Sequence, residues 1–209
     1  MGMSASAARR LTALLDGMGV EGLWRAGFPI DWRLGLPTGP LNSTPGIVSV
    51  GHTHCAAFAA AVAERMDLYL LRPPEYEQAG LANAQALWLN GVGQGRFTAR
   101  EAGWRKIGRL SDNGASEKAL AHASQGRLVL AICSPPPEAT RRQGLATPAH
   151  VVIVRPGQKS EARLREYGPD VIQAGRVNHA RIPLRLAFSP YPLAWAMGKI
   201  EYFWASAKE

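Results

Sequence analysis

Apolar residues recur every three to four positions near the start of the chain. Leu11, Leu14 and Leu15 share one face, which predicts a short helix over residues 4–16. From Gly17 to Pro45 the periodicity stops, broken by Pro29, Pro37, Pro40, Pro45 and several glycines. Trp24, Phe28 and Trp32 lie in the same stretch, and disordered segments rarely carry aromatics, so an ordered wrap against the core is expected. Ile47-Val48-Ser49-Val50 is too short to classify and reads as an extended lead toward Cys55. The alanine-rich run from Cys55 to Met66 predicts a helix with Cys55 in its first turn. After Pro73-Pro74, the segment Glu75–Asn90 predicts a second helix, with Ala79, Leu81, Ala82, Ala84, Leu87, Trp88 and Leu89 giving a broad apolar surface. Gly91–Gly95 reads as a turn; it lacks the strand and spacing of a dinucleotide fingerprint. Thr98 offers an N-cap, and Ser116–Ser124 predicts a further helix stopped near Gly126.

The pattern then turns to strands. Arg127–Cys133 is one, and His150–Arg155, with its β-branched run, is the strongest. Asp170–Ala174 is a third, residues 181–188 suit a fourth, and Ile200–Trp204 suits a strand or a helix. Helices followed by antiparallel strands make an α+β pattern. At 209 residues the chain fits one compact domain, read as a wrap over 1–44 on a main body over 45–209.

Apolar content of 46% and charged content of 19% describe an ordinary folded chain. Two cysteines do not make a disulfide framework. The segment around Arg9, Arg10 and Leu11–Leu15 has no apolar stretch of signal-peptide length, and nothing reaches membrane-spanning length. Synthesis in the cytoplasm without a cleaved signal, and no stable membrane insertion, are therefore expected. The net charge of +8 is uneven: residues 1–95 hold six Lys/Arg against seven Asp/Glu, and residues 96–209 hold 18 against nine. That field suits an anionic partner near His150, although a basic solvated surface explains it equally well. No long basic run or aromatic-basic motif points to nucleic acid.

A helix start favours a thiolate, because its N–H groups are unpaired and its dipole end is positive. Cys55 is thus a candidate nucleophile. His150, held at the start of a rigid strand, is a candidate base. In a hairpin of 150–155 with 170–174, the start of one strand faces the end of the other, which brings Gln173 to His150. Its amide oxygen is expected to accept Nδ1–H and leave Nε2 for sulfur, with Asn178 and Asp170 as substitutes under another register. The Cys55 N–H is the natural first oxyanion donor; His54, His52 or the segment near Ser49 could supply a second. Each residue also has a plainer reading: a cysteine before an alanine helix is commonly core, and a histidine opening a strand is commonly structural. Cys133 reads as a buried, inert strand residue, His122 as exposed on a helix, and His179 as a loop or strand-edge residue. His52, His54, Cys55 and His150 also form a nominal zinc set, but adjacent ligands and the lack of a partner motif argue against a metal, and no cofactor is expected.

His54-Cys55-Ala56-Ala57-Phe58, followed by Pro148-Ala149-His150-Val151-Val152-Ile153-Val154-Arg155-Pro156-Gly157, resembles the NlpC-like superfamily and the related CHAP amidases, papain-fold cysteine peptidases of bacterial peptidoglycan. Ala82-Asn83-Ala84, Trp104, Gly126–Ala131 and Val171-Ile172-Gln173-Ala174-Gly175 are similar to segments of such amidases. The resemblance spans roughly residues 45–190, an ordinary domain size. Many relatives carry Asp-Cys-Ser-Gly at the nucleophile, where this chain has His54-Cys55-Ala56-Ala57. The resemblance implies an α+β papain-like fold with Cys55 as nucleophile, His150 as base and Gln173 as orienting residue. It implies an amidase or endopeptidase acting on peptidoglycan stem peptides. Together with the absent signal, that reads as an antibacterial effector, such as a type VI secretion toxin, delivered by a secretion apparatus to the periplasm of a target cell and countered by an immunity protein. A phage lysin is the other source of such an enzyme. The alternatives are a papain-like deamidase or transferase acting on proteins, and a non-enzymatic basic binding module.

Overall fold

The computed structural model describes residues 2–41, 53–92, 95–133 and 149–206. Helix α1 (Gly2–Gly17) opens the chain as its spacing predicts. The wrap after it is ordered: Trp24, Ile30 and Trp32 join the same core as the helix that begins at Cys55. Trp24 is fully buried and meets the Phe58 ring edge-on at 5.1 Å. Gly35 lies so close to the Trp24 indole that a Cβ there would fall 2.3 Å from it, and its φ of +70° also demands glycine.

Helix α2 (Cys55–Arg65) is buried on every side from Cys55 to Ala63. Its alanines keep it slim enough to be enclosed, and a helix apolar all round belongs inside. It lies on an antiparallel sheet of β1 (Arg105–Arg109), β2 (Leu128–Cys133), β3 (His150–Val154), β4 (Asp170–Ala174), β5 (Asn178–Pro183) and β6 (Glu201–Ala205), in the order β1-β6-β2-β3-β4-β5. Alternation divides the sheet into two faces. Leu130, Ile132, Val151, Ile153 and Ile172 pack with α2; Val129, Ala131, Val152, Val154 and Val171 pack with Ala119 and Ala123 of α4 (Ala115–Ser124). Covering on both faces explains why β2 and β3 are continuous apolar runs. Burying each such Leu or Ile contributes about 2 kcal/mol. Thus α+β with an antiparallel sheet holds, and the strands expected at 127–133, 150–155, 170–174 and 200–204 form within a residue or two. Among the described residues, no helix is long and apolar enough to cross a membrane.

Several expectations are corrected. The helix over 75–90 is only α3 (Leu81–Leu89). Gly80 precedes it in the left-handed region at φ 80°, and the Gln78 side chain donates to the Ile30 carbonyl at 3.0 Å, so residues 75–80 are spent fastening the wrap. The fourth strand begins earlier, at Asn178, and stops at Pro183, where α6 (Leu184–Ala187) takes over. Strand β1 is new: it is an edge strand of polar composition, with an irregularity at Gly108. Helix α5 (Glu161–Tyr167), capped by the Ser160 hydroxyl, and α7 (Pro192–Ala196) are also new. Helices therefore alternate with strands rather than simply preceding them. Thr98 and Glu101 do form a reciprocal capping box, but it closes a turn, not a helix. His122 is half-buried, stacked 4.6 Å from Trp204, which the Arg127 guanidinium also covers. Ile47–Val50, Gly93 and Gln94 lie outside the described residues.

Candidate active site

Cys55 is the first residue of α2, after the N-cap His54. The first N–H groups of a helix have no partner within the helix, which is the electrostatic reason the position suits a negative sulfur. The sulfur accepts from the N–H groups of Ala56 and Val151 and shares a hydrogen bond with the His150 ring. Val151 can give its N–H because the β3–β4 ladder joins Ile153 to Ile172 and Val154 to Val171, leaving the start of β3 to the thiol.

His150 opens β3 opposite Cys133 of β2. The residue before it is clamped: the Ala149 N–H donates to Asn83 Oδ1 on α3 at 2.7 Å. The Gln173 carboxamide is held at both ends. Its Nε2 donates to the Val177 carbonyl at 3.0 Å, so Oε1 is the atom turned to His150 Nε2, also at 3.0 Å. An amide oxygen only accepts, so Nε2 carries the proton and Nδ1 is left for the sulfur. This reverses the expected ring orientation, in which Nδ1 met Gln173. Nε2, at the far end of the ring from its attachment point, is the nitrogen that reaches Gln173 on β4. The substitutes for Gln173 are engaged elsewhere. Asn178 Nδ2 donates to the carbonyls of Val20, Leu23 and Trp24, and Asp170 pairs with Lys159 at 2.5 Å and Arg181 at 3.2 Å.

Two aromatic rings enclose the imidazole. Tyr191 stacks on it with centroids 5.6 Å apart and planes 14° apart, and Phe188 meets it edge-on at 5.2 Å. Neither is expected from the sequence, because they lie at or just past the end of a segment that reads as a strand. Asn83 enters the sequence reading only as part of a tripeptide similar to amidase segments.

Burial pushes the Cys55 thiol up, but the bond and charge of His150, with the Val151 and Ala56 amides, outweigh it and hold the thiol below its ordinary value. Burial likewise pushes His150 down, and the sulfur's bond and charge, with the Gln173 bond, more than offset this to raise it. Both shifts favour a thiolate–imidazolium pair. Cys133 goes the other way, pushed up to about 11 chiefly by burial. Two thiols at one histidine are thus set apart by their surroundings: one sits on amides at a helix start, the other within a strand.

Of the suggested second oxyanion donors, His54 is buried at the helix N-cap, while His52 and Ser49 lie outside the described residues. So does Pro148. Among the described residues, no three metal-ligating side chains are grouped to hold an ion. Two open concavities lie away from the thiol, one beside Asp112, Glu117 and Trp195, the other beside Lys159, Arg163 and Tyr167. The sequence matches no protein-family model and no curated protein.

Proposed function

We propose that the protein is a papain-like cysteine hydrolase, an amidase or endopeptidase acting on peptidoglycan stem peptides. The observation that carries this reading is the chain Cys55–His150–Gln173, with the sulfur at a helix start and the imidazole tautomer set by a clamped amide. A helix opening on a cysteine, laid on an antiparallel sheet whose adjacent strands bring the histidine and its orienting amide, supports the papain-like assignment. The peptidoglycan substrate rests on the resemblance of the segments around Cys55 and His150 to wall amidases.

The Cys55 thiolate attacks the amide carbonyl, forming a C–S bond as the carbonyl electrons move to oxygen. The Cys55 N–H is the first donor to that oxyanion. The tetrahedral intermediate collapses, His150 gives its Nδ1 proton to the leaving nitrogen, and the amine departs from a thioester. His150, now neutral at Nδ1, takes a proton from water as it attacks the thioester, and then returns it to sulfur as the acid product leaves. Throughout, Nε2–H stays on Gln173, which holds the ring in plane for both transfers. The deciding experiment is digestion of purified peptidoglycan, with released fragments identified by mass spectrometry. New amine and carboxylate ends should appear with the native protein and vanish with Cys55→Ala. Intact sacculi alongside a reactive Cys55 would overturn the substrate and favour a protein deamidase or transferase.

A further inference from the structure

The turn Gly175-Arg176-Val177 links the strand that carries Gln173 to β5, and it is fixed on both sides. The Val177 carbonyl receives the Gln173 amide at 3.0 Å, and Ala174 pairs with Asn178, whose side chain is itself bonded to the wrap. Gly175 lies flush against the catalytic ring: a Cβ there would be 3.5 Å from His150 Cε1. The next residue, Arg176, is exposed, and its charge reaches the Tyr191 phenol that stacks on the same ring. Other cations on and beside these strands are spent on acids: Arg155 on Asp16, and Lys159 and Arg181 on Asp170. Arg176 has no carboxylate partner among the described residues. An unpaired guanidinium on a rigid turn, one residue from the glycine against the imidazole, is placed to take an anion by a forked hydrogen bond.

We infer that Arg176 is a specificity residue that binds a carboxylate carried by the substrate beside the amide attacked by Cys55. The inference rests on Cys55 and His150 being the reacting pair. It narrows the substrate class to peptides with a free carboxylate within about one residue of the scissile bond, since consecutive Cα atoms are only about 3.8 Å apart.

Alkylation of Cys55 tests it without any wall substrate. In both iodoacetate and iodoacetamide the sulfur displaces iodide, forming C–S and breaking C–I, and only the first reagent carries a carboxylate. The ratio of their rate constants removes changes in thiolate content and isolates attraction for the anion. Arg176→Gln should lower the iodoacetate-to-iodoacetamide ratio about tenfold at low salt, Arg176→Glu should lower it further, and Arg176→Lys should keep most of it. Arg163→Gln removes the same charge from α5 and should leave the ratio unchanged. A ratio unaltered in Arg176→Gln and Arg176→Glu overturns the inference, as does an equal fall in Arg163→Gln, which would reveal only the net field. Failure of the underlying reading looks different: iodoacetamide would then react with native Cys55 no faster than with an ordinary thiol.

Discussion

His150 Nε2 lies 3.0 Å from Gln173 Oε1, while the Gln173 amide nitrogen is committed to the Val177 carbonyl. The ring orientation is therefore fixed before any substrate arrives. Nε2 keeps its proton on Gln173 in the neutral and the charged ring alike, and Nδ1 is the nitrogen that gains or loses one toward the sulfur. Removing Gln173 should loosen this arrangement without abolishing it. Gln173→Ala forfeits one buried hydrogen bond, about 1 kcal/mol, and should lower kcat/KM roughly tenfold. His150→Ala removes the proton carrier and should cost on the order of a thousandfold or more. Gln173→Glu should raise the imidazole pKa further, by placing a charge where the amide oxygen was. Steady-state kinetics with released amine as the readout checks the order; equal losses in Gln173→Ala and His150→Ala would contradict it.

How much of this was legible in the sequence depends on how local each cause is. The start of α2 could be read because alanine propensity and the preceding Gly-rich stretch both act within a few residues. Gln173 could be matched to His150 because antiparallel register follows from two strongly patterned strands. The ring orientation could not, since it depends on where β4 sits relative to the helix start. Strand β1 was hidden because an edge strand needs no apolar alternation, and Arg105-Lys106-Ile107-Gly108-Arg109 looks like a surface loop. Asn83, Phe188 and Tyr191 reach the site only through tertiary packing. They lie far from both Cys55 and His150 along the chain, where no local pattern ties them to either.

The pH profile of thiol reactivity depends on the directions of the two shifts. The Cys55 pKa is lowered, so its thiolate persists below the pH at which an ordinary thiol protonates, and reactivity falls only as pH drops through the lowered value. The His150 pKa is raised, so the imidazolium that stabilises the thiolate and serves as general acid is lost as pH rises through a value above 6.5. Alkylation by iodoacetamide near pH 7 should therefore select Cys55 over Cys133, whose thiol is pushed up to about 11. Peptide mapping locates the label. In His150→Ala the Cys55 reactivity should move to higher pH, and first labelling of Cys133 in the native protein would sink the assignment.

Asn83 acts through the backbone. Its Oδ1 receives the Ala149 N–H at 2.7 Å, and Ala149 is buried, so Asn83→Ala leaves an amide without its acceptor. The expected loss of stability is about 1–3 kcal/mol, measured by urea denaturation. Asn83→Asp keeps an acceptor and should retain most of it. Because the clamp is one residue from His150, the alanine variant should also slow Cys55 alkylation in the folded protein. Unchanged stability and unchanged alkylation together would show that the bond is dispensable.

Tyr191 should matter through its ring. The stack at 5.6 Å and the edge contact of Phe188 shield the His150–Gln173 bond from water, and a shielded bond holds the ring more firmly. Tyr191→Phe keeps that cover and should stay within about twofold of native, whereas Tyr191→Ala should lose about 0.5–1.5 kcal/mol of positioning, up to roughly tenfold in rate. If Tyr191→Phe falls as far as Tyr191→Ala, the hydroxyl and not the ring is the working part.

The proposed substrate also dictates where the protein does harm. Peptidoglycan lies outside the cytoplasmic membrane, so a bacterium holding the protein in its cytoplasm should grow, while one exporting it behind a cleavable signal should lyse. Cys55→Ala should be harmless in both compartments, because it keeps the basic surface and loses only the nucleophile. That separates hydrolysis from binding: a basic module without catalysis would behave alike with cysteine or alanine at position 55. Growth curves and microscopy of the four strains give the answer. Lysis confined to the exported, Cys55-bearing protein is expected. Cys55-dependent killing from the cytoplasm would move the substrate to a soluble protein, while leaving the Cys55–His150–Gln173 chemistry in place.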